Sequence, residues 1–374
     1  MKKINQKIIA PIAGLVFVLS VSACAPASGT LESTNLNNNL PTESNDSAST
    51  PEQTPGTIPD PDLNVTHSAV KFHAFGDMNV NVNGDYSSHT PATVKSMIAR
   101  DPAVILGMGD YIDGEKSSLS DSTYVKMWSV FTKKVSSLMD TAHVPFAPTP
   151  GNHDAYYAQE RKIYSQHWKK NTPNVQYVDD SNYPFYYSFL REDVFFVSLD
   201  DANYAKLKNR TEQLTWLKKQ LTSETAKKAR ARVVYGHIPL YSIVSSKANS
   251  TTVYQNGVLS GERKTNGSFT LEAMLLENNV DLVLFGHSHG FYSGHYTYPD
   301  GKKLRVVSLP CAGGSQRYLV GTSIKTPHGF VEVSIADTNE LKVRYFNSAG
   351  VEQNLKSLPT SITLDAKNRV VYKR

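Results

Sequence analysis

The chain has 374 residues, 40% of them hydrophobic and 20% charged, a net charge of +5, and only two cysteines, Cys24 and Cys311. The length is ample for a large core, and two cysteines exclude a disulfide framework. The basic residues are scattered rather than clustered, which leaves no nucleic-acid-binding motif and fits an anionic ligand and a plain soluble surface equally well.

The chain opens with the basic "MKKINQK" and a sixteen-residue apolar run, "IIAPIAGLVFVLSVSA". A basic lead, a short apolar run and small residues make a secretory signal over 1–23, since a membrane span takes about 20 apolar residues. "VSAC", Val21 to Cys24, resembles the lipobox of bacterial lipoproteins. That resemblance implies cleavage before Cys24, acylation of its thiol, and an exported lipoprotein anchored to a membrane of the cell envelope. Residues 24–66 are rich in Ser, Thr, Asn and Pro and contain six acids and no Lys or Arg. They bury too little apolar surface to offset the entropy of ordering, and read as a disordered tether about 35 Å in end-to-end distance. With the three lysines of the signal and the six acids of the tether set aside, the remainder carries +8.

A domain is expected over 67–347. In chain order, "VKFHAF", "AVILGM", "VPFAPT", "YYSFL", "DVFFVSL", "RVVYG" and "VDLVLFG" read as short strands, several of them apolar on both faces. "TPATVKSMIARD", "STYVKMWSVFTKKVSSLMD", "EQLTWLKKQLTSETAKKA" and "FTLEAMLLENN" carry helical periodicity. The stretch from "RVVSLPCAGG" to "GFVEVSIADTNELKVRYFN" is β-rich, and a C-terminal extension over 348–374 ends in a strand at "RVVYK". Alternating strands and helices predict an α/β fold. Cys311 in "SLPCAGG" reads as a small buried residue rather than a reactive thiol.

Five polar clusters, each with a glycine just ahead, follow apolar runs. They are Asp77 in "FGDMN", Asp110 in "GDYID", Asn152, His153 and Asp154 in "GNHD", His237 in "GHIP", and His287 with His289 in "GHSHG". In open α/β sheets ligands gather at the carboxyl ends of strands. Carboxylate, carboxamide and imidazole without thiol suit Mn, Fe, Zn or Ni better than a thiolate zinc site.

Together these clusters resemble the calcineurin-like metallophosphoesterase superfamily, from about Val70 to Gly314, and most nearly its purple acid phosphatase-like branch. The resemblance implies a four-layer α/β/β/α sandwich of two mixed β-sheets flanked by helices, and two divalent or mixed-valence metal ions such as Fe, Mn or Zn. Asp77 and His289 would hold one metal, Asn152, His237 and His287 the other, and Asp110 would bridge them. His153 would be the general acid facing the leaving group, with Asp154 orienting it. Two cations would clamp a phosphate ester and lower the pKa of water between them.

Two positions depart from that pattern. Purple enzymes place a tyrosine three residues after the bridging aspartate, where this chain has Asp113, so an iron–tyrosinate chromophore is not expected. Many relatives have histidine two residues after the first aspartate, where this chain has Asn79, whose amide oxygen is a fair ligand for hard cations. His73 is roughly 13 Å away along a strand and too far to substitute, while His89 is within reach on the following loop. The expected activity is hydrolysis of phosphomonoesters. A phosphodiesterase or nucleotidase of the same fold, and a non-enzymatic binding lipoprotein, are the alternatives. "KKNTPNVQYVDDSNYPFYYS" supplies either a rim to the pocket or aromatics to the core.

Overall fold

A computed structural model describes residues 68–202, 210–247, 270–365 and 370–374. The signal and tether expected over 1–66, including Cys24, lie outside these residues. The described residues belong to one compact unit. No helix among the described residues is long and apolar enough to cross a membrane.

Two mixed sheets form the centre. The smaller has strands β1 (Val70–Phe75), β2 (Ile105–Gly107), β3 (Phe146–Pro148), β11 (Gly329–Ile335) and β12 (Leu341–Asn347), in the order β12-β11-β1-β2-β3. Its first three strands are parallel, and β11 runs antiparallel to β1. The larger has nine strands: β4 (Gln176–Asp179), β5 (Tyr187–Arg191), β6 (Val194–Ser198), β7 (Ala231–Gly236), β8 (Leu282–Phe285), β9 (Tyr292–Thr297), β10 (Lys303–Ser308), β13 (Ser361–Asp365) and β14 (Val370–Lys373). Their order is β13-β14-β9-β10-β8-β7-β6-β5-β4, with β6, β7, β8 and β10 parallel.

The parallel strands are almost unbroken apolar runs because both faces are covered. Between the sheets Phe72 of β1 meets Phe196 of β6 edge-on, with ring centroids 5.0 Å apart. Outside the small sheet lie α1 (His89–Ile98), α2 (Asp121–Phe131), α3 (Ser137–Thr141) and α5 (Ala158–Lys170), which enclose Trp128, Phe131, Tyr164 and Trp168 with Phe75 and Phe146. The short α4 spans Asn152–Ala155. The larger sheet buries Leu217 and Leu221 of α6 (Arg210–Leu221) and Leu271 and Leu275 of α8 (Thr270–Glu277). Two mixed sheets flanked by helices are the architecture expected from the sequence.

One local reading changes, one open alternative falls to the core, and the strand expected at the C-terminal end is present with a partner. The single helix expected over 212–229 is two, α6 and α7 (Glu224–Lys228), because Ser223 turns out of the helix and its Oγ accepts from Ala226 N at 3.1 Å as a cap. The segment 169–188 does not form a rim. Tyr183 and Tyr187 pack together in the core, and Tyr187 donates to the Pro148 carbonyl at 2.7 Å. The residues after Asn347 supply β13 and β14, which continue the large sheet beyond β9.

Candidate metal centre

Every chemical cluster lies where a parallel strand ends. Asp77 and Asn79 follow β1, Asp110 follows β2, Asn152 to Asp154 follow β3, His237 follows β7, and His287 and His289 follow β8. Five of these residues adopt left-handed backbone: Asp77 (φ 55), Asn79 (φ 52), Asp110 (φ 55), His287 (φ 61) and His289 (φ 53). The sharp turns aim their side chains back over the strand ends, and asparagine, aspartate and histidine are among the residues that enter this region most readily. The glycines make the crowding possible. A Cβ on Gly151 would stand 2.3 Å from Asp110 Oδ1, and one on Gly109 2.5 Å from the Gly151 backbone.

The hydrogen bonds fix which atoms face inward. His237 Nδ1 donates to the Met108 carbonyl at 2.5 Å, so in the neutral ring Nε2 carries a lone pair. That Nε2 lies 3.0 Å from Asn152 Oδ1 and 3.3 Å from Asp110 Oδ2. Asn152 Nδ2 donates to Glu115 Oε2 at 2.8 Å, which turns Oδ1 toward both His237 and His287 Nδ1, the latter 2.9 Å away. His289 Nδ1 donates to the Ser315 carbonyl at 2.9 Å, leaving Nε2 3.3 Å from Asp77 Oδ1. With His237 and His289 neutral, their lone pairs face the oxygens of Asn152, Asp110 and Asp77, an arrangement that a cation between them would satisfy.

The ligand atoms of Asp110, His237 and His287 lie within 4.8 Å of one another, as do those of Asp77, Asp110 and His289. The two groups share Asp110. Asp77 Oδ2 and Asn79 Oδ1 are buried and accept no hydrogen bond, and Asn79 Oδ1 and the His289 ring both crowd the space beside Gly314. The donor set therefore fits two hard or intermediate cations, with Asn79 on the Asp77 side.

The electrostatics say the same. Burial alone would lower the pKa of His237, but the carboxylates of Asp110, Asp77 and Asp201 outweigh it and push it up to about 10. Burial alone would raise Asp110, but His237, His153 and His287 hold its carboxyl well below the usual range. The site demands positive charge, which cations supply as well as protons do.

His153 sits at the mouth, its side chain 28% exposed. Its Nδ1 donates to the Gly114 carbonyl at 2.9 Å, and the carboxylates of Asp113 and Glu115 stand 3.6 and 3.8 Å from its ring nitrogens. Asp154 does not orient it, which corrects the role expected from the sequence. Its carboxylate is fully buried and takes four backbone N–H groups: Asp110 at 2.6 Å, Gly151 at 2.9 Å, Tyr111 at 2.9 Å and Ile112 at 3.2 Å. Asp154 therefore pins the Asp110 loop to the Asn152 loop. Asparagine in its place would turn an N–H₂ group toward backbone donors. Asp154→Asn is expected to destabilise by about 2–4 kcal/mol and to lower the melting temperature by roughly 5–15 °C. An unchanged thermal midpoint would refute that structural role.

Other expected neighbours are elsewhere. His89 Nδ1 bonds Ser348 Oγ at 3.0 Å and its ring stacks on His328, so it does not complete the Asp77 side. His73 bonds Glu332 at 3.1 Å. Tyr111 packs among Trp128, Phe131, Phe146 and Trp168.

Several residues carried no legible signal. Glu115 orients Asn152. Glu160, buried, accepts from Glu115 N at 2.7 Å and fixes that loop. Asp201 accepts from His237 N at 3.1 Å. Arg317 and Tyr86 line the mouth, a cavity of about 480 Å³ shared with Asn79, Asp113, His153 and His289.

Fold and site together define a protein built to hold two cations at the carboxyl edge of a double sheet. The profile of the calcineurin-like phosphoesterase family matches residues 70–291, more than half of the chain, and the protein belongs to that family. It is 27% identical over 182 residues to a probable purple acid phosphatase 20 of Arabidopsis thaliana, which covers 47% of this chain and 38% of the relative. It is 25% identical over 178 residues to purple acid phosphatase 18 of the same plant, covering 46% and 36%. The chain thus spans under two fifths of the length of these relatives. The solved purple acid phosphatase PPD1 from yellow lupin (Lupinus luteus) seeds shares the fold, with a TM-score of 0.58 at 19% identity over 77% of this chain and 53% of that one.

Proposed function

We propose that this protein is a metal-dependent phosphomonoesterase acting outside the cytoplasm, exported and held at a membrane through a lipidated Cys24. The observation that carries the catalytic reading is the pair of ligand clusters sharing Asp110 beside the partly exposed His153. Two ions drawn from Fe, Mn or Zn would neutralise phosphoryl charge and lower the pKa of water at the site. Asp77, Asn79 and His289 would hold one, Asn152, His237 and His287 the other, and Asp110 both. The Arg317 guanidinium, fixed by donation to the His287 carbonyl, presents a further positive charge at the mouth for a phosphoryl oxygen. His153 holds a proton at Nε2 while Nδ1 is committed to Gly114, and delivers it to the departing alkoxide. Asp113 and Glu115 favour the protonated ring.

The test is hydrolysis of a chromogenic phosphate monoester during metal titration, before and after chelation. Activity should vanish on chelation and return with Mn or Zn. Because imidazole binds transition metals better than a neutral amide does, Asn79→His should shift the titration to lower metal and Asn79→Ala to higher. Coincident curves would make Asn79 a bystander, and a folded protein that neither binds metal nor hydrolyses the ester would overturn the proposal.

A further inference from the structure

The end of the large sheet opposite the ligand loops carries a row of basic residues. Arg305 of β10 stands directly across from His295 of β9, and His295 directly across from Lys373 of β14. Directly opposed residues share a face, so the three side chains form one line across three strands. Lys303, two residues before Arg305, lies on that same face. A cavity of about 560 Å³ opens along the row, lined by His295, Lys303, Arg305, Ser293 and Arg374.

Among the described residues the acidic side chain at its wall is Asp281, whose Oδ2 already accepts from Arg232 N at 2.7 Å. Arg305 Nη1 donates to the Leu341 carbonyl at 2.9 Å, which holds the guanidinium in place without neutralising it. Among the described residues none of Lys303, Arg305 and Lys373 has a carboxylate partner. His295 registers the resulting field: burial first, then Lys303, Lys373 and Arg305, lowers its pKa.

The lowered pKa leaves His295 neutral near pH 7, so the positive charge belongs to Lys303, Arg305 and Lys373 around it. Cations without carboxylate partners, gathered around a concave space with an anchored arginine, suit an anion. Arginine and lysine together suit a tetrahedral oxyanion. We propose that this row is a second, non-catalytic site that binds a phosphate-type oxyanion, either free or as the head group of an anionic lipid.

The experiment uses the metal-loaded full chain and two variants. Lys303→Glu with Lys373→Glu changes exposed residues only, and Arg305→Gln removes the anchored charge. Inorganic phosphate is titrated by calorimetry, and co-sedimentation is measured with phosphatidylcholine vesicles with and without phosphatidylglycerol. An acyl anchor would insert into both vesicle types, so the difference between them isolates head-group charge. The wild type should bind phosphate at a class of site that both variants weaken about tenfold or more, with kcat/KM for a phosphate ester unchanged. Loss of phosphate binding alone assigns a free anion, and loss of the phosphatidylglycerol preference assigns a lipid head group; either supports the site. Equal phosphate binding and equal vesicle preference in all three proteins would overturn the proposal.

Discussion

Asp110→Ala should lose both metals at once. Its carboxylate is the one group common to the two ligand clusters, so removing it strips an anionic ligand from each side. Residues that merely support a ligand cost about 10–100-fold in metal affinity, and a shared ligand should cost more. Activity should fall by at least about 10³-fold, the scale on which removal of one key electrostatic contact is felt. The control is His289→Ala, which touches only the Asp77 side and should leave close to one ion per chain. Elemental analysis of both variants, with circular dichroism to confirm folding, decides the matter. An Asp110→Ala protein that still carries two equivalents of metal would show that the cations sit elsewhere.

His153→Ala should separate chemistry from binding. The ring makes no contact with the inward-facing acceptors, so metal content should stay as in the wild type. Turnover should fall by roughly 10²–10⁴-fold, the usual range for a positioned acid. The loss should be largest for poor leaving groups, since an alkoxide of high pKa needs the proton most. The pH profile carries a second signature. Without metal, burial alone would lower the pKa of His153, but Asp110, the Gly114 carbonyl, Glu115 and Asp113 raise it; cations held by Asp110 would offset its share and leave that of Gly114, Glu115 and Asp113. The acid form is complete below the pKa of the ring and is lost as pH climbs through it, so activity should decline on the alkaline side. In His153→Ala that limb should disappear. Equal losses for good and poor leaving groups, or an unchanged alkaline limb, would remove His153 from the acid role.

The parallel strands were legible because burial on both faces forces an apolar run, as in "RVVYG" and "VDLVLFG". The ligand loops were legible because glycine followed by aspartate, asparagine or histidine must recur at strand ends for such a site to form. What stayed hidden was hidden for physical reasons. Helix α5, "AQERKIYSQHWKK", buries Glu160, Ile163, Tyr164 and Trp168, and a glutamate on its inner face blurs the apolar stripe. That glutamate is buried because five donors converge on it, Glu115 N, Lys116 N, Tyr124 OH, Tyr156 N and Tyr157 N, a fact of tertiary structure with no local trace. Strand β9, "YSGHYT", mixes glycine, histidine and serine, so its pairing is set by its neighbours. The role of Asp154 was misread for a related reason. The family resemblance implied that Asp154 orients His153, whereas its carboxylate takes the backbone N–H groups of Asp110, Tyr111, Ile112 and Gly151.

The left-handed backbone at five site positions also restricts what the chain can become. A β-branched or bulky side chain at any of them would be strained in the fold before its chemistry was ever tried. The acceptable alphabet is close to glycine, asparagine, aspartate and histidine, and three of those four can bind a metal ion. Random change at such a position is therefore filtered toward residues that still offer a donor atom. Asn79, at φ 52, exemplifies this: it tolerates the turn and still presents a buried oxygen without a hydrogen-bond partner. The turn conformation thus acts as a conservative grammar, letting the affinity and metal preference of the centre drift while keeping its geometry.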